Sequence, residues 1–360
     1  MKTEIFTPGR TELAGNHTDH QLGRILASGV NLGLTVQAEK SEDNIIKIES
    51  TGFAEINVHI NKKMFPRTDE FGTSKALVRG VVEAYSQLGL QTGGFHAIVT
   101  SSLPAGGGLS SSAAFAVTIG KLLNIFYNNN EVDPIVIARA AQKAENEFFG
   151  KPCGLMDQLA CSLGHTVYVD FKTNEIEPIQ VDFEEMGLTL CLTDTGGSHA
   201  GLDSSYARIP ADMHLVAAMF DKEFLADVEF EKFKEKGWNI SDRPVRRAMH
   251  FFYENARVPQ MRDALIKRDA ETYLRLMNES GRSSEQLLNN IFTSASGDTK
   301  LQDGIDLSAE LLNGKGAWRV HGGGFAGFVQ ALMPIDYFKV YKEKMEEKFG
   351  VGSCHEIKLI

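Results

Sequence analysis

No apolar run in the 360-residue chain is long enough to span a bilayer, and Met1–Pro8 lacks the apolar core of a signal peptide. The expectation is a cytoplasmic protein with no membrane partner. Basic clusters are also missing. The net charge is −10 and no Lys/Arg run occurs, so the chain offers no face for nucleic acid. Cysteine is scarce: Cys153, Cys161, Cys191 and Cys354 are scattered without a C-x-x-C, and they read as reduced, mostly buried thiols. Internal repeats and low-complexity segments are absent. Hydrophobic side chains are not scarce: at 42% they give ample core for one large two-lobed unit or two domains.

Glycine is plentiful, and it clusters. Leu103-Pro-Ala-Gly-Gly-Gly-Leu-Ser-Ser-Ser-Ala-Ala114 follows a β-rich run, Gly94 to Thr100, and leads into a helical pattern reaching about Tyr127. Three glycines let a ligand approach the main chain, and the first turn of the helix presents unpaired N–H groups at the positive end of its dipole. Gly106, Gly107, Gly108, Leu109, Ser110, Ser111 and Ser112 together read as a cradle for the phosphates of ATP. A plain loop with a serine N-cap is the bland alternative. The stretch is not a P-loop, because no Lys follows the glycines, and it is not the Gly-rich loop of protein kinases.

Other segments bear on that choice. Pro8-Gly-Arg-Thr-Glu-Leu-Ala-Gly-Asn-His-Thr-Asp-His-Gln21 is dense in hydrogen-bonding side chains. Its His17, Asp19 and His20 lack the spacing of a metal site, and polyol recognition suits them better. A helix capped by Asp133, with Pro134 first, runs to Phe149 and carries Glu145 late, where an acid is either solvated or bound to a cation such as Mg²⁺. Asp157 lies among Leu155, Met156 and Leu159; if buried it needs a partner, and Arg10 would be a fitting one. Tyr206 is either a core ring or a lid over a ligand, and Arg246 and Arg247 read as ordinary helix-face charges. A second glycine cluster, within Gly316–Met333, joins two strand-like runs and permits close backbone approach, either to a neighbouring chain segment or to the first loop. Helices are expected over Thr73–Leu88, Tyr206 to about Glu229, Arg243–Ala256, Gln260–Ser280 with a break near Arg268-Asp269, and Asp336–Phe349. Strands alternate with these helices, so the class is α/β or α+β.

Taken together, Pro8-Gly-Arg10 with Gly15-Asn-His-Thr-Asp19, Leu103–Ala114, Ala141–Phe148 with Cys153-Gly-Leu-Met-Asp-Gln158, and His321-Gly-Gly-Gly-Phe325 resemble the GHMP kinase superfamily of small-molecule kinases, over essentially the whole chain, and within it the galactokinases. The resemblance implies a two-lobed fold, residues 1–190 and 191–360, with the active site between the lobes. It implies that Gly106 to Ser112 wrap the ATP phosphates, that Ser112 and Glu145 hold Mg²⁺, and that Asp157 takes the proton of a sugar's anomeric hydroxyl. Arg10 would stabilise the transferring phosphoryl group, and Asn16, His17, Thr18, Asp19 and Tyr206 would contact the sugar. The implied partners are ATP and a small-molecule sugar, and the implied assembly is a monomer or homodimer. One departure stands out: galactokinases usually carry Gly-Glu-His-Thr-Asp-Tyr where this chain has Gly15-Asn-His-Thr-Asp-His20. The Glu reads the far end of the hexose. Asn16 either still binds a galactose hydroxyl there or admits a carboxylate, as in galacturonokinase, whose motif Asp19-His-Gln21 also resembles. The expected activity is therefore an ATP:hexose 1-phosphotransferase acting on galactose. A uronate kinase and a non-catalytic sugar sensor are the alternatives.

Overall fold

In the computed structural model, residues 1–60, 63–104, 108–197, 201–292 and 297–360 are described, without the Asp203 side chain. They form two compact units. The first comprises Met1–Arg10, Gly29–His165 and Ile360, and the second Thr11–Ser28 and Thr166–Leu359.

In the first unit, strand β2 (Arg24–Lys40) pairs antiparallel with β5 (Phe95–Ser101), which pairs in parallel with β3 (Ile45–Ser50), itself antiparallel to β4 (Ile56–His59). Strand β1 (Lys2–Ala14) pairs with β2. Along β5 the burial alternates: Phe95, Ala97 and Val99 face inward while His96, Ile98 and Thr100 are exposed. Helices α1 (Ser74–Gln87), α2 (Ser111–Tyr127), α3 (Pro134–Lys143) and α4 (Met156–Leu163) complete this unit. They share one core with the sheet, through residues such as Val78, Tyr85, Phe95, Leu122 and Phe148. Their starts follow capping chemistry. Thr73 Oγ1 accepts from Ala76 N at 3.2 Å, and Asp133 Oδ1 from Ile135 N at 2.7 Å with Pro134 first in the helix.

Helix α3 does not continue regularly to Phe149. Ala144–Phe149 forms a π turn that ends at Gly150, with φ of 77°. The wider turn carries Glu145 into the interior, where it is 1% exposed, so the solvated-face reading of this acid does not hold.

In the second unit, β6 (Val167–Asp170) pairs with β7 (Glu175–Pro178) and with Arg24–Ala27 of β2. Further on lie β8 (Leu188–Asp194), α5 (Asp203–Ala218), α6 (Phe230–Glu235), α7 (Arg243–Ile266), α8 (Ala270–Ser283) and α9 (Lys300–Leu312). The chain closes with β9 (Ala317–His321), β10 (Phe328–Pro334), α10 (Phe338–Phe349) and β11 (Cys354–Ile357). The order β11-β8-β10-β9 makes an antiparallel sheet. The division expected at 190/191 differs from that of these units. Strands β1 and β2 both run through the first unit and the second, and the β2–β6 ladder groups Thr11–Ser28 with the later residues.

Three other expectations change. The helix expected from Tyr206 to about Glu229 ends at Ala218, and a separate helix starts only at Phe230. The helix predicted to stop at Ala256 runs on through Pro259 to Ile266. Proline removes one backbone donor, but the buried stripe Val258, Met261, Ala264 and Leu265 continues the apolar face across it. Arg247 is not a surface charge: it is buried, donating to Asp212 Oδ2 at 2.8 Å and to Leu288 O at 3.1 Å. The break near Arg268-Asp269 is present, with Asp269 Oδ1 capping α8 by accepting from Thr272 N at 3.0 Å. No helix among the described residues is long and apolar enough to cross a membrane.

The π turn that carries Glu145 rests against α1 at Gly80, where an added Cβ would lie 2.6 Å from Ala144 Cβ and 2.7 Å from Ala144 Cα. Ala is the better helix former by about 1 kcal/mol. Even so, Gly80→Ala is expected to destabilise the chain by about 1–3 kcal/mol through overpacking, read from urea unfolding. Unchanged or raised stability would show that the helix and the π turn separate freely.

Candidate active site

Within the first unit, β1 runs alongside the end of the glycine loop that follows β5. Arg10 N donates to Leu109 O at 3.2 Å. Residue 9 must be glycine for this approach, since a Cβ there would sit 2.7 Å from Leu109 O and 2.6 Å from Leu103 Cδ2. The Arg10 guanidinium then donates from Nε to Asp157 Oδ1 at 2.7 Å and from Nη1 to Gly108 O at 2.9 Å. Ser110 Oγ donates to Asp157 Oδ2 at 2.6 Å. The partner anticipated for Asp157 is thus in place, 147 residues away in sequence. Ser110 is neither a plain cap nor turned outward. It makes no side-chain capping bond to α2, it is buried, and its backbone is left-handed at φ 57°, a strained setting for a non-glycine residue. Gly106 and Gly107 lie outside the described residues. Burial alone would raise the Asp157 pKa, but the Arg10 guanidinium, then Lys151 and the Ser110 hydroxyl, favour the carboxylate and hold it down at about 2.

Beside this triad stands a set of oxygen donors. Ser112, in the first turn of α2, donates from Oγ to Glu145 Oε1 at 2.6 Å. The Gln158 amide donates to the other oxygen of Glu145. That bond fixes the amide orientation and points Gln158 Oε1 away, a buried acceptor without a partner among the described residues. A hydroxyl, a carboxylate and an orphaned carbonyl oxygen are hard donors that fit a divalent cation such as Mg²⁺. Among the described residues no group of three or more His, Cys, Asp or Glu is placed to hold a metal. A cation here would therefore take most of its ligands from phosphate and water.

The second unit holds the Asn16–Asp19 segment. Asn16 is buried, and its amide is fully used. Nδ2 donates to Gly322 O at 2.7 Å and Glu12 Oε2 at 3.2 Å, and Oδ1 accepts from Asn290 Nδ2 at 3.0 Å and Ser284 Oγ at 3.2 Å. Two donors and two acceptor positions are all an amide has. The sugar contact expected of Asn16 is thus replaced by a hold on the loop. Thr18 is likewise inward, its Oγ1 lying 2.9 Å from Gly15 O and 2.6 Å from Arg24 O. His17, left-handed at φ 57°, has Nε2 at 3.1 Å from Gly323 O. Asp19 is half-buried and accepts from His20 N at 2.9 Å. Tyr206 donates to Gly324 O at 2.6 Å and packs edge-on to Phe325, with the rings 5.4 Å apart. Three successive carbonyls of the second glycine cluster, Gly322 to Gly324, thus receive Asn16, His17 and Tyr206.

Sequence reasoning missed the residues that support this segment. On α7, Glu254 Oε1 accepts from Gly15 N at 3.0 Å, Asn16 N at 3.4 Å and Ser280 Oγ at 2.8 Å, while Arg257 pairs with Oε2. One helical turn earlier, His250 Nε2 lies 2.9 Å from Asn16 O, so it must donate, which leaves Nδ1 to accept from Ser283 Oγ at 2.9 Å. Burial would raise the Glu254 pKa, but Arg257 first, then His250 and the donated hydrogen bonds, lower it below the ordinary range. A fully buried pair, Glu12 with Arg319, lies beneath the loop. The available signal was the spacing 250, 254, 257, which places these three polar groups on one helix face beside Phe251, Val258 and Met261.

Two outcomes follow from this geometry. Asp157 has a folded pKa below its unfolded one, so its contribution is present above about pH 4 and is lost as pH falls towards 2, about 2 kcal/mol in all. The stability difference between wild type and Asp157→Asn should stay flat from pH 8 to 5 and shrink only below pH 4, in denaturant titrations. Glu254→Ala should cost about 3–5 kcal/mol, because it leaves buried Arg257 with only the more exposed Glu279, 3.8 Å away, as a partner, and Glu254→Gln clearly less. Equal losses in the two variants would show that the charge is irrelevant.

Residues 76–165 match the GHMP kinases N terminal domain, and residues 3–40 match the galactokinase galactose-binding signature. The chain is 27% identical over 355 residues to galactokinase of Clostridium tetani (strain Massachusetts / E88), covering 96% of this chain and 88% of the relative. It is 28% identical over 352 residues to galactokinase of Glaesserella parasuis serovar 5 (strain SH0165), with the same coverage. Among solved structures, Lactococcus lactis galactokinase complexed with galactose superposes with a TM-score of 0.84 at 23% identity, covering 99% of this chain and 93% of that one. Methanococcus jannaschii mevalonate kinase superposes at 0.70 with 17% identity, covering 100% and 99%. The fold is the mixed α/β GHMP kinase fold. Residues 76–165 carry the GHMP kinase N-terminal domain, and residues 3–40 carry the galactokinase galactose-binding signature.

Proposed function

We propose that the chain is an ATP-dependent galactose 1-kinase: the γ-phosphoryl group passes to the anomeric hydroxyl, giving galactose 1-phosphate and ADP. The observation that carries this reading is the Arg10–Asp157–Ser110 constellation at the head of α2. Phosphoryl transfer asks mainly for positioning and charge neutralisation, because its transition state is loose. The first turn of α2 and the loop through Gly108 to Ser112 receive the phosphates, and Arg10 supplies positive charge for the transferring group. Ser112 and Glu145 would hold Mg²⁺, with Gln158 orienting Glu145; when bound, the ion neutralises phosphate charge.

Asp157 is already a carboxylate at neutral pH and a weak base. It accepts a hydrogen bond from the sugar hydroxyl and aims it at phosphorus. It takes the proton late, once the new P–O bond has made that proton acidic. The bond from phosphorus to ADP breaks as this one forms. In the second unit, Asp19 and Tyr206 face the sugar, while Asn16, His17 and Thr18, whose polar side-chain atoms are taken up by the protein, keep the segment in shape.

ADP release is to be measured with Mg-ATP and galactose, galacturonate, glucuronate, arabinose, N-acetylgalactosamine or glucose. Galactose should be the best acceptor; preference for a uronate, or silence on every sugar, would overturn the assignment. Asp157→Ala should lower kcat by about 10²–10⁴-fold with the fold retained. Arg10→Lys should not rescue Arg10→Ala, because a point charge cannot span both Asp157 and the Gly108 carbonyl.

A further inference from the structure

We propose that His20 is a positioning residue: it locks His17 in a single tautomer and so holds the sugar-facing segment on the Gly323 carbonyl. This rests on the sugar-kinase reading above and adds to it the task of a residue in the first motif.

The argument is one of hydrogen-bond polarity, followed from both ends. Leu225 N can only donate, and it lies 3.0 Å from Gln21 Oε1, which fixes the orientation of that amide. Gln21 Nε2 therefore points as a donor to His20 Nδ1, at 3.5 Å. His20 Nδ1 must be bare, so its proton sits on Nε2. At the other end, Gly323 O can only accept, and His17 Nε2 lies 3.1 Å from it, so His17 carries its proton on Nε2. Between the rings, His20 Nε2 and His17 Nδ1 are 3.3 Å apart. Among the described residues, only one assignment satisfies every contact: His20 Nε2–H donates to a bare His17 Nδ1. A second proton on either ring would face a donor or require an imidazolate. Both rings are half-buried and held neutral, with pKa values near 3, through burial first and then the neighbouring imidazole, His20 for His17 and His214 for His20.

The relay has structural leverage. His17 is held left-handed at φ 57°, as is Leu22 on the far side of the turn, so the segment adopts a conformation that local preference opposes. Gly323 O also accepts from Asn290 Nδ2 at 3.2 Å, which in turn donates to Asn16 Oδ1. Residues 16 and 17 are thus tied to the same carbonyl from two directions. Without the donor at position 20, His17 is free to place its proton on Nδ1, and Nε2 then faces Gly323 O as acceptor against acceptor.

The test uses the full-length chain labelled with ¹⁵N-histidine, in wild type, His20→Phe and His20→Gln, with long-range imidazole ¹H–¹⁵N spectra from pH 5 to 8 and galactose kinetics. Wild-type His17 should show a protonated Nε2 and a pyridine-like Nδ1 throughout this range. His20→Phe should mix the tautomers of His17 and raise the galactose KM about 10-fold, with kcat changed less than about 3-fold. His20→Gln, which restores an N–H donor, should recover both the spectrum and KM. A wild-type His17 that averages its tautomers, or a His20→Phe chain with unaltered spectrum and KM, would overturn the proposal. If His20→Phe fails to fold, the wild-type and His20→Gln spectra still decide it. The spectra need no sugar, so a chain that phosphorylates nothing would sink the kinase reading without deciding the relay.

Discussion

A carboxylate that must stay ionised while largely withdrawn from water sets the terms for the first unit. Removing a charge from solvent costs several kcal/mol unless it is paired and hydrogen-bonded. Asp157 meets this with Arg10 on one oxygen and the Ser110 hydroxyl on the other. Those two contacts impose the rest. Strand β1 must pass close enough to the glycine loop for Arg10 to reach over it, which requires glycine at position 9. Ser110 must leave the helical path and take a left-handed backbone to turn its hydroxyl back. The π turn after α3 follows a similar logic: a regular helix would rotate Glu145 elsewhere, whereas the extra residue per turn sets it against Ser112 and Gln158.

The second unit places its polar groups differently. Glu12 with Arg319 and Glu254 with Arg257 are buried ion pairs, and such pairs contribute little net stability over apolar side chains of similar size. What they supply is geometry. Glu254 and His250 hold the backbone of Gly15 and Asn16, and the carbonyls of Gly322 to Gly324 receive the side chains of Asn16, His17 and Tyr206. Each of these contacts has an unambiguous donor and acceptor, so the segment has one low-energy arrangement. A site that discriminates between hexoses differing at a single hydroxyl needs such an arrangement before the ligand arrives.

Much was legible in the chain because it is local. The cap at Asp133, the helix beginning near Thr73, the break near Arg268-Asp269, the β-rich run of β5 and the strand–glycine loop–helix order all arise from neighbours in sequence, and each lies where its pattern implied. The motifs at 8–19, 103–114 and 153–158 also carried the family, since they are short and contiguous. Other features have no local signature. The π turn at Glu145 and the passage of α7 through Pro259 are decided by what packs against them, and tertiary packing overrides propensities of about 1 kcal/mol.

Residue types and spacing, together with the family resemblance, were enough to bring Arg10, Asp157, Ser112 and Glu145 forward as candidates. The hydrogen-bond partner of a polar side chain was beyond them, because that depends on which distant segment comes within about 3 Å. Ser110 turned out to serve Asp157, Asn16 to serve the loop, and Arg247 to serve Asp212, none of which a helical or strand period encodes. Chain order determined which groups were available to bind phosphate and sugar; long-range packing determined which of them were already satisfied by the protein itself.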